Sequence, residues 1–308
     1  MMRGTNERGP VTLSCARDLS LWIEAGGPPE RRVMLRGLRH RWSGMWIERY
    51  AKIAAEKCAG VELPGDPVFI VGLWRTGSTM LHTTLSRETG WTTPRTWQCF
   101  RPAHFLLMPP PKLRQTVRPM DAGLIDTFSP QEDEFAALLL GEPSTYRGFI
   151  DPRRLDELGA LLDQWNNPDG SEHPPLSSRW ESFLRAVVAG SPGHLLLKSP
   201  NHTFRMPWLA KRFPHARFIW LIRPPADVLE SNRRMWAAMV ARYGQWRLEP
   251  AALERFLDRA RKNHDDLLDW ARCVIGDRLF VANFDDVIHA RLTGRILEFL
   301  APSASVAR

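Results

Sequence analysis

Apolar positions along the chain alternate between short continuous runs and longer stretches with helical spacing. The short runs predict buried strands at residues 68–71, 194–197, 217–222 and 278–282. Helical spacing predicts helices at residues 31–59, 80–87, 131–140, 154–165, 178–188, 226–239, 251–274 and 292–300, with one more ending at Phe213. Buried strands that alternate with helices are typical of a parallel sheet covered on both sides. We therefore expect an α/β fold of three layers, a central parallel sheet with helices on both faces.

Two regions depart from this alternation. Residues 1–66 are expected to form an N-terminal arm, rich in glycine and proline at its start, followed by a helix. Residues 67–308 are expected to form the α/β domain. Within it, residues 91–130 are dense in proline, arginine and aromatic side chains and show no sustained periodicity. Because such segments often carry binding residues, we expect residues 91–190 to provide substrate-facing loops and helices.

The first strand leads directly into the segment 72–79, whose sequence is GLWRTGST, and then into a helix. This order nearly satisfies the phosphate-binding pattern G-x-x-x-x-G-K-[ST], in which backbone N–H groups and the helix N-terminus hold a phosphate. Ser78 stands where nucleotide kinases have lysine, and a cation, Arg75, comes earlier. The segment therefore predicts a P-loop-like site for a donor with a single 5′-phosphate, and a strand–helix turn without a ligand is the alternative.

Two more cations follow predicted strands. Lys198 ends the second strand and is one of six lysines in the chain. Arg223 follows the third strand, and Ser231 comes eight residues later on the next predicted helix. For each of these residues taken singly, an ordinary surface feature is the alternative. Because ligands of parallel sheets gather at the carboxyl ends of the strands, however, the three strand ends are expected to meet at one site.

These segments together resemble the sulfotransferase family. The resemblance rests on the loop 72–79, on the sequence LLKSPNH at 196–202, and on FPHARFI at 213–219 followed by Arg223 and Ser231. It is strongest toward the bacterial branch with an L-K-S-P-x-H segment, and the arginine-bearing loop is also similar to that of the tyrosylprotein sulfotransferases. The similarity extends over residues 68–300.

The resemblance implies a sulfuryl transfer from 3′-phosphoadenosine 5′-phosphosulfate (PAPS) to a hydroxyl or amine by metal-free in-line displacement, with PAP as the second product. It implies that the 5′-phosphosulfate is bound by Arg75, Thr76, Gly77, Ser78 and Thr79, and the 3′-phosphate by Arg223 and Ser231. Lys198 matches the lysine near the transferring group. Arg75 and Lys198 would be the catalytic cations.

The general base departs from the family pattern. Cytosolic relatives have a histidine two residues after the lysine, where this chain has Pro200, and several relatives have a glutamate near the position of Gln98. The remaining candidates for the base, in order of preference, are Glu132, Glu134 and then His202 or His104. Residues 132–134 also begin a predicted helix, where acidic side chains complement the helix dipole without any catalytic role.

Charge and composition leave two other functions open. The chain has a net charge of +8 and a pI near 9.8, so a non-catalytic binder of nucleotides or nucleic acid is one alternative. The strand, loop and helix around residues 72–79 make a P-loop kinase or NTPase the other, although Ser78 stands in place of its lysine and the sequence shows no clear carboxylate for Mg²⁺. The arginines are dispersed and no nucleic-acid-binding module is recognisable, so we expect no nucleic-acid partner.

The cysteines and the apolar runs bear on the compartment. Four widely spaced cysteines without a zinc-ligand pattern indicate reduced thiols and no metal. No signal peptide and no apolar run of about 20 residues is present, so we expect a cytoplasmic protein without a membrane span. The acceptor, which could be a small molecule, lipid, glycan or peptide, and the oligomeric state are left open.

Overall fold

The structure is a computed structural model that describes residue 49 and residues 52–167, 174–288 and 293–301. The predicted arm and most of the predicted helix at 31–59 lie outside the described residues, although residues 52–57 are helical. The division of the chain near residue 67 therefore stays a prediction.

Four strands form the central sheet. They are β1 (Val68–Val71), β4 (Leu196–Lys198), β5 (Arg217–Ile222) and β6 (Leu279–Asn283), paired in the order β4-β1-β5-β6. Every pairing in this sheet is parallel. The predicted strands therefore lie within two residues of the observed ones, and the predicted α/β fold with a central parallel sheet is confirmed.

Helices occupy most of the remaining described chain. They are α1 (Ser78–Thr89), α2 (Thr96–Cys99), α3 (Asp133–Leu139), α4 (Leu155–Trp165), α5 (Ser178–Gly190), α6 (Pro200–Phe204), α7 (Met206–Arg212), α8 (Pro225–Tyr243), α9 (Pro250–Val274), α10 (Phe284–Ile288) and α11 (Thr293–Leu300). Single 3₁₀ turns lie at Phe105–Leu107, Thr145–Phe149, Pro152–Arg154 and Gly276–Arg278. The helix predicted to end at Phe213 is in fact two, because Pro207 lacks an N–H and is tolerated only in a helix's first turn.

Alternate residues of β1 face two separate cores. Phe69 and Val71 point into the larger core, which also contains Phe218 and Trp220 of β5. Val68 and Ile70 point into a smaller core, whose other members include Leu81 and Leu85 of α1 and Ile296 and Leu300 of α11. Since successive side chains of a strand point to opposite faces, this division places helices on both sides of the sheet.

Residues 91–130 contain more regular structure than the sequence indicates. Besides α2, they form an antiparallel hairpin of β2 (Gln115–Val117) and β3 (Leu124–Asp126). At its tip Arg118 N donates to Gly123 O (2.9 Å), and Gly123 N donates to Asp121 Oδ1 (3.2 Å). Strands of three residues are too short to produce a recognisable alternation, which is why this hairpin was not predicted.

Parallel pairing brings the carboxyl ends of the strands to one edge. Ile70 of β1 lies opposite Lys198 of β4, and Ile222 of β5 lies opposite Asn283 of β6. The segment after β1, Lys198, Arg223 and the start of α10 therefore share this edge. No helix within the described part of the chain is both long and apolar enough to cross a membrane.

Candidate active site

The segment between β1 and α1 has a backbone that depends on its two glycines. Gly72 and Gly77 have φ values of 130° and 85°, which disfavour any other residue. A Cβ atom on Gly72 would lie 2.5 Å from Leu221 O, and one on Gly77 would lie 2.7 Å from the Phe284 ring. Arg75 also has a left-handed backbone (φ 72°), which is uncommon for a residue with a side chain. The glycines therefore allow the loop to pack tightly between β5 and α10.

Hydrogen bonds from neighbouring helices hold this loop in place. Gly72 N donates to Thr203 Oγ1 (2.7 Å), which donates back to Gly72 O (2.9 Å). Asn232 Nδ2 donates to Trp74 O (2.9 Å). Thr76 Oγ1 is buried and donates to Leu73 O (2.8 Å), so this hydroxyl shapes the loop and only the backbone of Thr76 is left for a ligand.

The cations predicted at the first and third strand ends lie together. Arg75 Nε donates to Ser231 Oγ (3.0 Å), and Arg223 Nη1 donates to Arg75 O (3.2 Å). The Arg223 guanidinium also lies 4.3 Å from the centre of the Phe284 ring. Its Nε is buried without a hydrogen-bond partner among the described residues, the nearest carboxylate oxygen, Asp227 Oδ2, being 3.7 Å away. A buried, unsatisfied guanidinium N–H at this edge fits an anionic ligand.

The tip of the hairpin contacts the same loop. Asp121 Oδ2 accepts from Arg75 Nη1 (2.9 Å) and lies 3.2 Å from Arg118 Nη2. The flanking guanidinium groups lower the pKa of Asp121 in spite of its partial burial, which acts the other way. Asp121 of the hairpin is therefore the ion-pair partner of Arg75 in this structure.

Lys198 connects the loop to Glu132 at the second strand end. Its buried Nζ donates to Thr79 Oγ1 (3.1 Å) and to Glu132 Oε1. The other carboxylate oxygen, Glu132 Oε2, accepts from the Tyr146 hydroxyl. Burial lowers the pKa of Lys198, although the carboxylate of Glu132 acts against this effect. Burial, and then the adjacent Glu132, raise the pKa of Tyr146 well above its usual value.

Glu134 and His202, two other candidates for the general base, point away from this site. Glu134 is fully buried and accepts two hydrogen bonds from Arg205 (2.6 and 3.1 Å). His202 is also fully buried, and its Nε2 is hydrogen-bonded to Asp133 Oδ2 (2.8 Å). Burial raises the pKa of Asp133, but His202 and other donors outweigh it and hold the pKa below its usual value.

This geometry distinguishes the candidates for the general base from one another. Neither Glu134 nor His202 lines the cavity described below, and each is paired with a buried side chain, so neither is positioned to act as a base. His104 does not line it either. Gln98 accepts from Arg95 N (2.8 Å) at the start of α2, which gives it a structural role.

We expect Glu134→Gln to lower the free energy of unfolding by about 3–5 kcal/mol, because it leaves the buried Arg205 guanidinium without its charge partner. Urea unfolding measures this change. Glu157→Gln is the matched control, since Glu157 pairs with Arg154 at the surface, where loss of an ion pair costs about 1 kcal/mol or less. Equal stability of both variants would contradict the structural role of Glu134.

A cavity of about 820 Å³ opens beside these groups. Its polar end is formed by Arg75, Ser78, Thr79, Glu132 and Arg223. The rest of its wall is largely apolar, with contributions from Met80, Phe100, Ile125, Phe135, Leu138 and Met239. The cavity can therefore hold an anionic group at one end and an apolar molecule beside it.

Three residues of the site were not found from the sequence. Tyr146 binds Glu132, Asp121 binds Arg75, and Phe284 packs against both Gly77 and Arg223. Of these, only Phe284 could have been predicted from the sequence, because it directly follows a strand of the parallel sheet. Among the described residues no group of three or more His, Cys, Asp or Glu side chains could hold a metal ion, and metal-free chemistry stays a prediction.

Comparisons with known proteins agree with this architecture. The sequence model of the sulfotransferase family matches residues 67–301. The chain is 29% identical over 258 residues to omega-hydroxy-beta-dihydromenaquinone-9 sulfotransferase Stf3 from Mycobacterium bovis and, equally, from Mycobacterium tuberculosis. The match covers 80% of this chain and 64% of each relative, so the chain spans less than two thirds of their length.

Solved structures show the same fold. Sulfotransferase STF9 from Mycobacterium avium superposes with a TM-score of 0.60 at 19% identity, covering 79% of this chain and 66% of the other. Sulfotransferase STF1 from Mycobacterium tuberculosis superposes with a TM-score of 0.58 at 16% identity, covering 92% of this chain and 80% of the other. At these sequence identities, the similarity is evidence for a shared fold alone.

Proposed function

This chain belongs to the sulfotransferase family, and from that premise we propose that it transfers a sulfuryl group from PAPS to a hydroxyl of an apolar acceptor. The observation that carries the proposal is the meeting of Arg75, Lys198 and Arg223 at one edge of the sheet, beside a cavity with a single carboxylate within reach of Lys198.

The donor would be bound at both its 5′-phosphosulfate and its 3′-phosphate. The N-terminus of α1 and the loop before it offer backbone N–H groups and the hydroxyls of Ser78 and Thr79 to the 5′-phosphosulfate. Arg223, whose Nε donates no hydrogen bond to any residue that the structure describes, and Ser231 would bind the 3′-phosphate. Ser231 can accept from Arg75 and still donate its own hydroxyl proton, so one serine can serve both the loop and the phosphate.

The reaction needs a nucleophile in line with the bond that breaks. The acceptor oxygen would attack sulfur, the S–O bond to the 5′-phosphate would break, and PAP would leave with the electron pair. Arg75 and Lys198 would stabilise the charge that develops on the transferring group and on the leaving oxygen. Glu132 would take the proton of the acceptor hydroxyl.

The contacts of Glu132 suggest how the base is released. Both of its oxygens accept a hydrogen bond, one from Lys198 and one from Tyr146. When Lys198 turns from Glu132 toward the bound donor, Oε1 becomes free to accept a proton, and Tyr146 keeps the carboxylate oriented. The cation and the base would thus become active together, only when the donor is present.

The wall of the cavity supports an apolar acceptor. Side chains such as Phe135, Leu138 and Met239 offer few hydrogen bonds to a glycan or a charged peptide. The two Stf3 relatives are named as sulfotransferases of omega-hydroxy-beta-dihydromenaquinone-9, an acceptor that carries a hydroxyl group. We therefore propose a lipid-like alcohol as the acceptor class.

Incubation of the full chain with ³⁵S-labelled PAPS and a panel of alcohols tests the function. The panel compares long-chain alcohols and hydroxylated isoprenoids with a hexose and a tyrosyl peptide. Labelled product from the apolar alcohols is the expected result, with PAP formed in equal amount. Thermal stabilisation by ATP–Mg²⁺ but not by PAP would contradict the proposal and favour a nucleotide kinase.

Arg223→Ala should weaken the affinity for PAP by roughly 10- to 150-fold, the equivalent of about 1.5–3 kcal/mol for hydrogen bonds to a charged group. Isothermal titration calorimetry measures this affinity directly. Arg234→Ala is the matched control, because Arg234 lies on α8, the helix that follows Arg223, but is exposed and pairs with Glu230. An unchanged affinity in Arg223→Ala would show that the 3′-phosphate binds elsewhere.

A further inference from the structure

The tip of the hairpin carries two charged side chains into the wall of the cavity. Arg118 and Asp121 both line the cavity, although β2, which leads into this tip, is exposed along its length. The side chain of Arg118 is only 18% exposed, so it is largely withdrawn from solvent. Neither residue has a part in the transfer described above.

Two arginines converge on one oxygen of Asp121. Arg75 Nη1 lies 2.9 Å and Arg118 Nη2 lies 3.2 Å from Asp121 Oδ2. The other oxygen, Oδ1, accepts from Gly123 N (3.2 Å) within the tip. Asp121 Oδ2 is thus a single anionic oxygen between two guanidinium groups, which is how arginines also bind an oxygen of a phosphate or sulfate group.

This oxygen lies at the proposed donor site. Arg75 belongs to the loop after β1, and its Nε donates to Ser231 Oγ (3.0 Å). Burial has the largest effect on the pKa of Lys198 and lowers it, Glu132 acts against this, and the positive charge of Arg118 adds to the lowering. Arg118 is therefore close enough to act on the group that would face the transferring sulfuryl. Asp121 places a negative charge where the donor would bring its own.

The tip can release Asp121 at low cost while keeping Arg118 beside the cavity. Both ion pairs of Asp121 are partly exposed, and such pairs stabilise a protein little. Ala122, the next residue, has a left-handed backbone (φ 53°), which is unfavourable for a residue with a side chain. Met120 packs against the larger core and holds the tip at the site. A donor with several negative charges can therefore displace the Asp121 carboxylate without removing the hairpin.

We propose that the Asp121 carboxylate occupies the position of an anionic donor oxygen before the donor binds, and that Arg118 binds the donor once this carboxylate is displaced. Arg118 is then a cation of the donor site alongside Arg75. Because the donor has to displace Asp121 first, Asp121 lowers the apparent affinity for the donor. This inference rests on the proposed function, since it needs a donor that binds beside Arg75.

Asp121→Asn tests the displacement, because the amide has the same shape and no charge. The affinity for PAP, measured by isothermal titration calorimetry, should rise roughly 2- to 30-fold, since the ligand no longer breaks two partly exposed ion pairs. Glu230→Gln is the matched control, because Glu230 also pairs with two arginines, Arg233 and Arg234, and adjoins Ser231 outside the cavity wall. It should bind PAP like the unaltered chain. Equal gains in both variants, or no gain in Asp121→Asn, would overturn the proposal.

Arg118→Ala tests the binding role of the arginine. It should weaken the affinity for PAP by roughly tenfold or more, the loss of a hydrogen bond to a charged group. The same loss should appear when Arg118→Ala is added to Asp121→Asn. If Arg118 only held Asp121 in place, its removal would have no effect once residue 121 is neutral, and that result would contradict the proposal. Arg114→Ala, which removes an exposed cation from the base of the same hairpin, should leave the affinity unchanged.

The unaltered chain separates failure of this inference from failure of the proposed function. If the unaltered chain does not bind PAP, the proposed function itself is wrong. If it binds PAP and the variants of Arg118 and Asp121 bind it equally well, only the role of these two residues is wrong. Thermal unfolding without PAP checks that each variant is folded. Asp121→Ser is a second neutral variant, whose hydroxyl can still accept from Gly123 N, and it should show the same gain in affinity.

Discussion

Lys198→Met should lower the rate constant of sulfuryl transfer by roughly 10²–10³-fold, the cost of removing one donor that stabilises developing charge. Nζ lies 3.1 Å from Thr79 Oγ1 at the start of α1, where the 5′-phosphosulfate would bind, so it can reach the oxygen that leaves. Methionine keeps most of the length of the buried side chain and removes the charge. Single-turnover measurements with labelled PAPS report the chemical step without interference from product release.

The affinity for PAP separates this role from simple donor binding. PAP lacks the sulfuryl group, so Lys198→Met should bind it nearly as well as the unaltered chain does. Lys211→Met is the control, because Lys211 is exposed on α7. Lys198→Met leaves Glu132 without its ion-pair partner, so the double variant with Glu132→Gln should regain stability but not rate. A rate within a few-fold of the unaltered chain would rule out a catalytic role for Lys198.

Glu132→Gln should lower the same rate constant by roughly 10²–10⁴-fold, the usual contribution of a general base. The amide has the same shape and its oxygen can still accept from Tyr146, but it cannot take a proton. Glutamine at this position therefore tests proton transfer without disturbing the packing. Single-turnover assays with the best acceptor from the alcohol panel measure the effect.

Donor affinity should be unchanged in Glu132→Gln, but stability should fall, because the substitution leaves buried Lys198 without its ion-pair partner, as Glu134→Gln does for Arg205. The two residues are two positions apart, yet one faces the cavity and the other pairs with buried Arg205. Glu88→Gln, an exposed substitution on α1, is the control for the loss of one negative charge. Full activity of Glu132→Gln would exclude this residue as the base.

Much of the fold follows from local patterns in the sequence. The strands are short runs of apolar residues, and the loop after β1 depends on two glycines whose spacing is visible directly. Because the sheet is parallel, the residues after its strands had to share one edge, which brought Arg75, Lys198 and Arg223 into one prediction. The structure brings these three side chains together as expected; their roles toward the donor stay predictions.

The rest of the site depends on contacts that no local pattern encodes. Glu132, Asp133 and Glu134 are consecutive acids at a helix start, where each residue turns about 100° from the last. Only packing decides that Glu132 faces Lys198, while Asp133 and Glu134 face His202 and Arg205. The sequence therefore indicated an acidic segment but could not separate the base from its structural neighbours.

Tyr146 and Asp121 were missed for a related reason. Tyr146 reaches Glu132 from a single 3₁₀ turn, and Asp121 reaches Arg75 from the tip of a hairpin with strands of three residues. Neither segment has enough length to show a periodicity. Their positions are set by long-range packing on the sheet edge.

The contact between Asp121 and Arg75 makes the hairpin and the loop thermodynamically linked. An anion that binds Arg75 in place of Asp121 breaks the ion pair between them. For a partly exposed pair, this ion pair contributes about 1 kcal/mol or less. Linkage is reciprocal. If the anion weakens the binding of a partner that restrains the tip of the hairpin, then that partner weakens the binding of the anion by the same factor. A contact on the outer surface of the hairpin that restrains its tip therefore changes, by a small factor, the affinity for an anion beside Arg75.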